Sequence, residues 1–261
     1  MTIYLHELKR NKVSLMIWTT VIVLFVLMIV IIFPDMKKEM ESLNELFSSM
    51  GGFSAAFSMD RLNLGVLLDF YSIEAGTVLC LGGAFYASMI GISSLAKEEK
   101  DHTADFLLSH PVNRQKVIVE KFLAIMTLII LMNVVVVVTT VLTIMVIGET
   151  LDWKIFYLLH ASYLLLQMEV GAICFGISAF LRRDSIGIGL GLATTLYFFN
   201  MVANITEKAE VLKYFTPFAY TEGADIITTG TLDIKYSLIW LTISLVFLVG
   251  GYIKYRSKDI L

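Results

Sequence analysis

The chain has 261 residues, of which 57% are apolar and only 16% are charged, and its formal net charge is -3. A soluble domain carries about 25% charged residues, so this composition excludes an ordinary soluble protein and predicts an integral membrane protein. The basic residues are scattered in small groups, which argues against nucleic-acid binding. Cys80 and Cys174 both fall in long apolar runs, so we expect two buried hydrophobic residues and no disulfide framework or zinc site.

Six runs are long and apolar enough to cross a bilayer as helices. They cover approximately residues 13–33, 70–96, 122–147, 155–181, 186–204 and 236–253. The first run exceeds the apolar core of a signal peptide and no cleavage motif follows it, so we expect a permanent helix. The whole chain, residues 1–261, is therefore predicted to form a single all-α, polytopic transmembrane domain with six transmembrane helices.

The distribution of lysine and arginine predicts the orientation of these helices. If the N-terminus is cytoplasmic, 13 of the 20 basic residues fall on the cytoplasmic side and 7 on the outer side. Both the N- and C-termini should therefore be cytoplasmic.

The N-terminal segment is predicted to be an interfacial helix. One face of a helix over residues 1–12 carries the apolar side chains Met1, Tyr4, Leu5 and Leu8. Such a helix would lie along the inner membrane surface. A second helix is predicted after the first span, over residues 36–50, and the Gly51-Gly52 pair should end it, since glycine accepts the left-handed conformation at a helix C-terminus.

The loop between the second and third predicted spans is the segment where function is expected. Asp101 is a plausible N-cap, and Pro111 biases His110 out of helix and so ends the segment. The short helix between them has one apolar face, made by Ala104, Leu107 and Leu108. A helix of only about ten residues is marginal alone, so we expect another protein or the helix ends beneath it to hold it.

This loop also carries a family resemblance. The run from Glu98 to Arg114 resembles the signature of type 2 ABC transporter permeases, in which acidic residues precede a Leu-Leu pair and a Pro-x-x-Arg motif. The resemblance implies a cytoplasmic coupling helix between spans two and three that binds an ATPase subunit. The coupling residues it implies are Glu98, Glu99, Thr103, Ala104, Asp105, Phe106, Leu107, Leu108, Pro111 and Arg114.

The same resemblance implies the partners. They are two copies of a separate ABC ATPase, which would bind ATP and Mg, and a second permease subunit in a homodimer or heterodimer in a bacterial plasma membrane. The sequence agrees with ATP binding by a separate subunit, because it contains no G-x-x-x-x-G-K-[ST] phosphate-binding motif. We therefore expect a lipid-embedded transport subunit that is not an enzyme and binds no cofactor or metal itself.

Two acidic residues within the spans are candidates for a transport pathway. Glu169 lies near the middle of the fourth span, where a charge costs roughly 3 kcal/mol on insertion scales. Either it contacts cargo or a proton, or it is a protonated or hydrogen-bonded packing residue. Glu74 lies near the outer end of its span, where Arg61 is a possible partner.

Small residues at four-residue spacing predict close helix packing. Gly83, Ala87 and Gly91 form such a stripe in span two, and Gly187 and Gly191 do so in span five. The pattern does not say whether the contacts lie within or between subunits. The family resemblance implies that spans two and five meet across the dimer.

The resemblance implies an ATP-driven exporter. The spans are rich in leucine, phenylalanine, methionine and valine, which suits an amphipathic or hydrophobic cargo. An antimicrobial or cytolytic peptide is the favoured cargo. The alternatives are extrusion of a small ion such as sodium, with Glu169 as the coordinating group, extrusion of a lipid or drug, and a non-transporting scaffold or sensor coupled to an ATPase.

Overall fold

The computed structural model describes residues 2–100, 113–182 and 185–257, and within these ranges the regular structure is entirely helical. The α-helices are α1 (Thr2–Ser49), α2 (Gly52–Ala56), α3 (Leu67–Thr77), α4 (Gly83–Lys100), α5 (Arg114–Ile147), α6 (Trp153–Ser178), α7 (Ile186–Ile205), α8 (Gly223–Thr229) and α9 (Ile234–Ser257). A π-helical segment, Val78–Gly82, joins α3 to α4, and two 3-10 helices, Glu207–Phe215 and Pro217–Thr221, lie between α7 and α8.

Six helical segments are long and apolar enough to cross a membrane, which confirms the predicted all-helical, six-span fold. These segments are Ile3–Lys37, Leu67–Ala96, Arg114–Ile147, Trp153–Ser178, Ile186–Ile205 and Ile234–Ser257. The second span combines α3, the π-helical segment and α4 into one continuous crossing.

The predicted interfacial helix at the N-terminus is not a separate element. Residues 2–12 form the first turns of α1, which continues without a break through the first span. No glycine or proline separates the two parts, so nothing in the sequence turns the chain along the membrane surface. Pro34 lies inside the same helix. α1 ends at Ser49, just before Gly51, which has a positive φ of 57°, as the glycine pair predicted.

Contacts between the helix ends define two faces of the bundle. The terminal face carries the start of α1 and the end of α9, and it is marked by a hydrogen bond of 3.3 Å from the Arg114 guanidinium to the carbonyl oxygen of Arg256. The opposite face carries residues 50–66, 148–152 and 206–233. There the Lys37 ammonium lies 3.2 Å from the Glu149 carboxylate.

The small-residue stripe of α4 packs against α6 within the same chain. A Cβ added at Gly91 would lie 2.6 Å from the carbonyl oxygen of Gly171, and one added at Gly83 would lie 2.2 Å from the Gln167 amide nitrogen. By contrast, a Cβ at Gly187 or Gly191 would meet no described atom within 4 Å. The stripe of span two is therefore used inside the subunit, whereas that of span five faces away from it.

Candidate functional site

The helix ends that flank the segment predicted to bind the ATPase, the end of α4 and the start of α5, lie at the terminal face. Glu98 and Glu99 fall in the last turn of α4, and Arg114 is the first residue of α5. The Asn113 side chain caps α5 by accepting a hydrogen bond of 3.0 Å from the Gln115 backbone N–H. The predicted coupling residues between them lie outside the described residues, namely Thr103, Ala104, Asp105, Phe106, Leu107, Leu108 and Pro111.

A buried ion pair joins two helices near the helix ends that flank this segment. The Lys121 ammonium lies 2.6 Å from Glu7 Oε1, and the lysine side chain has no exposed surface. It also donates to the carbonyl oxygen of Ser94 at 3.2 Å. A single lysine on α5 therefore connects α1 and α4.

Polar neighbours complete this arrangement around Glu7. The Arg10 guanidinium lies 2.9 Å from Glu7 Oε2, and the Asn11 amide donates to the Glu7 backbone oxygen at 3.0 Å. Together with Ser94 and Lys121, these residues form what we call the terminal cluster. Because buried charges are costly unless they are paired and hydrogen-bonded, this cluster fixes the relative positions of three helices.

The start of α1 is fixed to α5 by a second carboxylate. Glu120 Oε2 accepts hydrogen bonds from the backbone N–H groups of Ile3 at 3.0 Å and Tyr4 at 3.1 Å. These are amides of the first helical turn, which have no partner within their own helix. Consecutive residues of α5, Glu120 and Lys121, thus hold the N-terminal helix in place.

Glu169 lies at the centre of α6 and is bonded to the segment that follows α7. The Tyr220 hydroxyl donates to Glu169 Oε2 at 2.6 Å, and the glutamate is only 2% exposed. Burial raises the pKa of Tyr220 well above its usual value, so the phenol is neutral and acts as the donor. The second 3-10 helix, Pro217–Thr221, therefore reaches from the opposite face to the middle of a transmembrane helix.

The π-helical segment provides a further polar contact at this depth. A π-helix disrupts the usual i to i-4 hydrogen bonds, and such segments are frequent at functional sites. Here the Gln167 amide donates to the carbonyl oxygen of Leu79 at 3.1 Å. Gln167 in turn accepts a hydrogen bond of 2.7 Å from Asn133. These buried polar side chains link spans two, three and four.

Glu74 does not have the partner that its sequence position suggested. It is exposed on the surface of α3, whereas the Arg61 guanidinium pairs with Asp225 of α8. Partial burial lowers the pKa of Arg61, but the hydrogen bond and charge of Asp225 outweigh that effect and the pKa is raised. Arg61 therefore holds the segment after α2 to α8. Glu74 and Glu169 also differ in environment, since one is exposed and the other is enclosed.

A third carboxylate, Glu222, organises the opposite face. Its Oε1 accepts a hydrogen bond of 2.6 Å from the Ser58 hydroxyl, and its Oε2 accepts from the amide groups of Asn200 at 3.1 Å and Asn204 at 2.8 Å. Ser58 has a φ of 56°, a left-handed conformation that is uncommon for a residue other than glycine. Glu222 thus connects the turn after α2, helix α7 and the start of α8.

Glu7, Lys121 and Glu222 are site residues that no sequence pattern indicated. Glu7 and Lys121 are 114 positions apart, and Ser58 is 164 positions from Glu222, so no local spacing could reveal either contact. One signal was available for the segment before Glu222. Thr216 precedes Pro217, which is a typical helix start, and the Thr216 side chain accepts from the Phe218 backbone N–H.

The chain matches one family model along almost its whole length. The family is described as ABC-2 family transporter protein, and the match covers residues 1–260. No curated protein matches the chain. The match extends over all six spans, the terminal cluster and the residues around Glu222.

Proposed function

Since this chain belongs to the ABC-2 family of transporter proteins, we propose that it is the membrane-spanning subunit of an ATP-driven exporter whose ATPase binds residues 98–114. The chain is a multi-pass membrane protein. Members of this family are membrane subunits that generally dimerise and work with an ABC ATPase. In our proposal, two ATPase subunits bind ATP and Mg and drive a passage formed by two permease subunits.

Each part of residues 98–114 has a proposed role. Residues 103–108 form the coupling helix, with Leu107 and Leu108 on the face that enters the ATPase. Glu98, Glu99 and Arg114 pair with charges on the rim of the ATPase surface. Such rim pairs fix the orientation of a complex more than they add to its affinity.

The observation that carries the proposal is the connection made by Lys121 in the terminal cluster. The lysine joins α5 to Glu7 of α1 and to Ser94 of α4, so both helices that flank the docking segment are fixed to the first span. A displacement of this segment by the ATPase would move three helices together. A closely packed interior transmits such a displacement because it has low compressibility.

We propose that α7 supplies part of the contact with a second permease subunit. Its exposed side combines the small residues Gly187 and Gly191 with large apolar side chains, including Phe198 and Val202, which are 55% and 44% exposed. Small residues allow two helix backbones to approach closely in lipid. The partner is either a second copy of this chain or a paralogue.

The proposed cargo is an amphipathic or hydrophobic molecule, with an antimicrobial or cytolytic peptide favoured. The abundance of leucine, phenylalanine, methionine and valine in the spans supports this choice. The bond of Glu169 Oε2 to Tyr220 supports a packing role for this acid, whereas Glu169 Oε1 is buried without a hydrogen-bond partner among the described residues and is the oxygen that a transported ion would contact. Export of sodium, a lipid or a drug is the competing outcome.

Co-purification tests the docking role. The tagged chain is isolated from native membranes, and co-isolated ATPases are identified by mass spectrometry. We expect wild type to retain a P-loop ATPase, and we expect Glu98→Lys/Glu99→Lys or Leu107→Asp/Leu108→Asp to lose it. Glu210→Lys is the matched control, because it reverses an exposed charge on the opposite face and should leave the complex intact.

Two results would contradict the proposal. One is a wild-type chain that brings down no P-loop ATPase. The other is full retention of the complex, with full stimulated ATP hydrolysis, in both pairs of docking variants. If the complex forms and hydrolyses ATP but moves no peptide, lipid, drug or ion, the scaffold or sensor function replaces the transport function.

A further inference from the structure

A polar cavity lies on the opposite face, enclosed by α3, α6, α7 and the segment that contains Glu222. Its volume is about 60 Å³, and one water molecule needs roughly 10–15 Å³ of such volume. The cavity can therefore hold a small ion with a few water molecules. Oxygen-bearing side chains among its lining residues include Ser72, Thr77, Tyr163, Asn200, Thr221 and Glu222.

Two of these oxygens are buried without a hydrogen-bond partner among the described residues. They are the hydroxyl of Tyr163 and Oδ1 of Asn200, and their side chains are only 1% and 8% exposed. The Tyr163 hydroxyl lies against Gly76, another lining residue, since a Cβ added there would be 2.8 Å from it. A buried polar group without a partner is costly, so these two oxygens are available to a ligand.

The charge of the cavity favours a cation. Among the described lining residues, Glu222 is the only one with a formal charge. A carboxylate has about four lone-pair positions, and the three donors Ser58, Asn200 and Asn204 leave room for one more contact. A carboxylate combined with neutral oxygens is a donor set that suits hard cations.

The number of acidic groups favours a monovalent ion over a divalent one. Divalent calcium is usually bound by several carboxylates and carbonyl oxygens. In the part of the chain that the structure describes, no group of three His, Cys, Asp or Glu residues could hold a metal ion. The nearby Arg61 interacts with Glu222, but its own ion pair is with Asp225. One carboxylate therefore remains to be balanced by one positive charge.

A second hollow gives the cavity a connection to the exterior. This hollow has a volume of about 190 Å³, and both Ser58 and Asn204 line it. These two residues also donate hydrogen bonds to Glu222, so they form the partition between the hollow and the cavity. The charged residues that line this hollow balance, since Asp60 and Glu210 are accompanied by Arg61 and Lys213.

We propose that this cavity binds one monovalent cation of about the size of sodium, with Glu222 as the charged ligand and Asn200 Oδ1 and the Tyr163 hydroxyl as neutral ones. The ion would enter from the opposite face and connect the turn after α2 with α6, α7 and α8. The site does not depend on the ATPase-docking role or on the identity of the cargo.

Thermal unfolding of the purified full chain in lipid nanodiscs tests the site. The melting temperature is measured in NaCl, KCl, CaCl2 and N-methylglucamine chloride at equal ionic strength. We expect a saturable increase with Na+ in the wild-type chain and no such increase in Glu222→Gln. Glu149→Gln is the matched control, since it removes another carboxylate of the same face that is paired with Lys37. This control should retain the response to Na+.

Tyr163→Phe provides a second variant that keeps the fold. Because the Tyr163 hydroxyl has no hydrogen-bond partner, its removal breaks no bond within the described chain. We expect the half-saturating Na+ concentration to rise roughly tenfold. If the hydroxyl is only an unsatisfied group, the variant melts at a higher temperature in every salt and its Na+ dependence is unchanged, which overturns the assignment. Identical melting of the wild-type chain in all salts, or a response to CaCl2 alone, also overturns it.

Discussion

Lys121 Nζ and Glu7 Oε1 are 2.6 Å apart in a pair whose lysine side chain is completely buried. Glu7 and Lys121 differ in the other contacts that they make. The Glu7 carboxylate faces two cations, since the Arg10 guanidinium also lies 2.9 Å from it, and Lys121 also donates to the Ser94 carbonyl oxygen. Loss of the Glu7 carboxylate therefore affects two cations, whereas loss of Lys121 leaves Glu7 with Arg10.

We expect Glu7→Gln to destabilise the protein more than Lys121→Met does. Removing one partner of a buried ion pair costs about 3–5 kcal/mol, because an uncompensated charge is left in the interior. Glu7→Gln removes the carboxylate that both Arg10 and Lys121 face, whereas Lys121→Met leaves Glu7 paired with Arg10. The melting temperatures of the purified variants in detergent test this order of stability.

Lys37→Ala is the control for this comparison, since its pair with Glu149 is partly exposed and is worth at most about 1 kcal/mol. Equal losses in the two single variants, or a loss no larger than that of Lys37→Ala, would contradict the structural role of the terminal cluster.

The glycines of spans two and five should respond differently to alanine. Gly91→Ala places a methyl group 2.6 Å from the Gly171 carbonyl oxygen. Backbone cannot move as a side chain can, so we expect a loss of about 1–3 kcal/mol and a lower melting temperature.

Gly191→Ala should leave the melting temperature of the subunit unchanged, because a Cβ there meets no described atom. A larger substitution, Gly191→Leu, should weaken dimerisation if α7 contacts a second subunit, and cross-linking yields would report this. Loss of the fold in Gly191→Ala, or unchanged dimer yields in Gly191→Leu, would argue against the assignment of α7 to the dimer contact.

Glu169→Gln distinguishes a packing role of Glu169 from coordination of a transported ion. Glutamine retains a side-chain oxygen that accepts from Tyr220, so we expect the variant to fold and to keep most peptide export. Loss of sodium extrusion in a whole-cell assay, with the fold intact, would instead favour an ion route. Tyr220→Phe is the companion variant, since it removes the hydrogen bond to Glu169 while keeping the carboxylate.

The number of spans was predictable from the sequence, whereas the helix ends were not. Each bilayer crossing requires about 20 apolar residues, so hydropathy finds it. α5, however, begins at Arg114, eight residues before the predicted span, because charged residues end the apolar run without ending the helix. Lys121 lies in that charged part and is nevertheless buried, since its partner comes from a distant helix.

The position of the segment between spans five and six was harder to predict than the helix ends. Its apolar runs are too short to indicate a crossing, yet Tyr220 reaches Glu169 in the middle of α6. The cavity around Glu222 likewise depends on Ser58 and Asn200, which come from separate parts of the chain. Periodicity reports which face of one helix is apolar, but it cannot report which distant side chains meet.

The orientation of the docking segment is predicted by the distribution of basic residues and can be tested separately. Thr103→Cys provides a thiol on this segment, and the native Cys80 and Cys174 are both buried, so background labelling should be low. We expect a membrane-impermeant maleimide to label the variant only after the cells are permeabilised. Lys208→Cys, on the opposite face, should be labelled in intact cells, and the reverse pattern would place the docking segment outside.

The contact with the ATPase is tested most directly by photo-cross-linking from the docking segment itself. Phe106 is replaced by the photoreactive amino acid p-benzoylphenylalanine, and the products formed in native membranes are identified by mass spectrometry. Phe198 on α7 serves as the control position. We predict that position 106 cross-links to a P-loop ATPase and that position 198 does not. If position 106 cross-links only to lipid or to this chain, and to no ATPase, the result would contradict the proposed function.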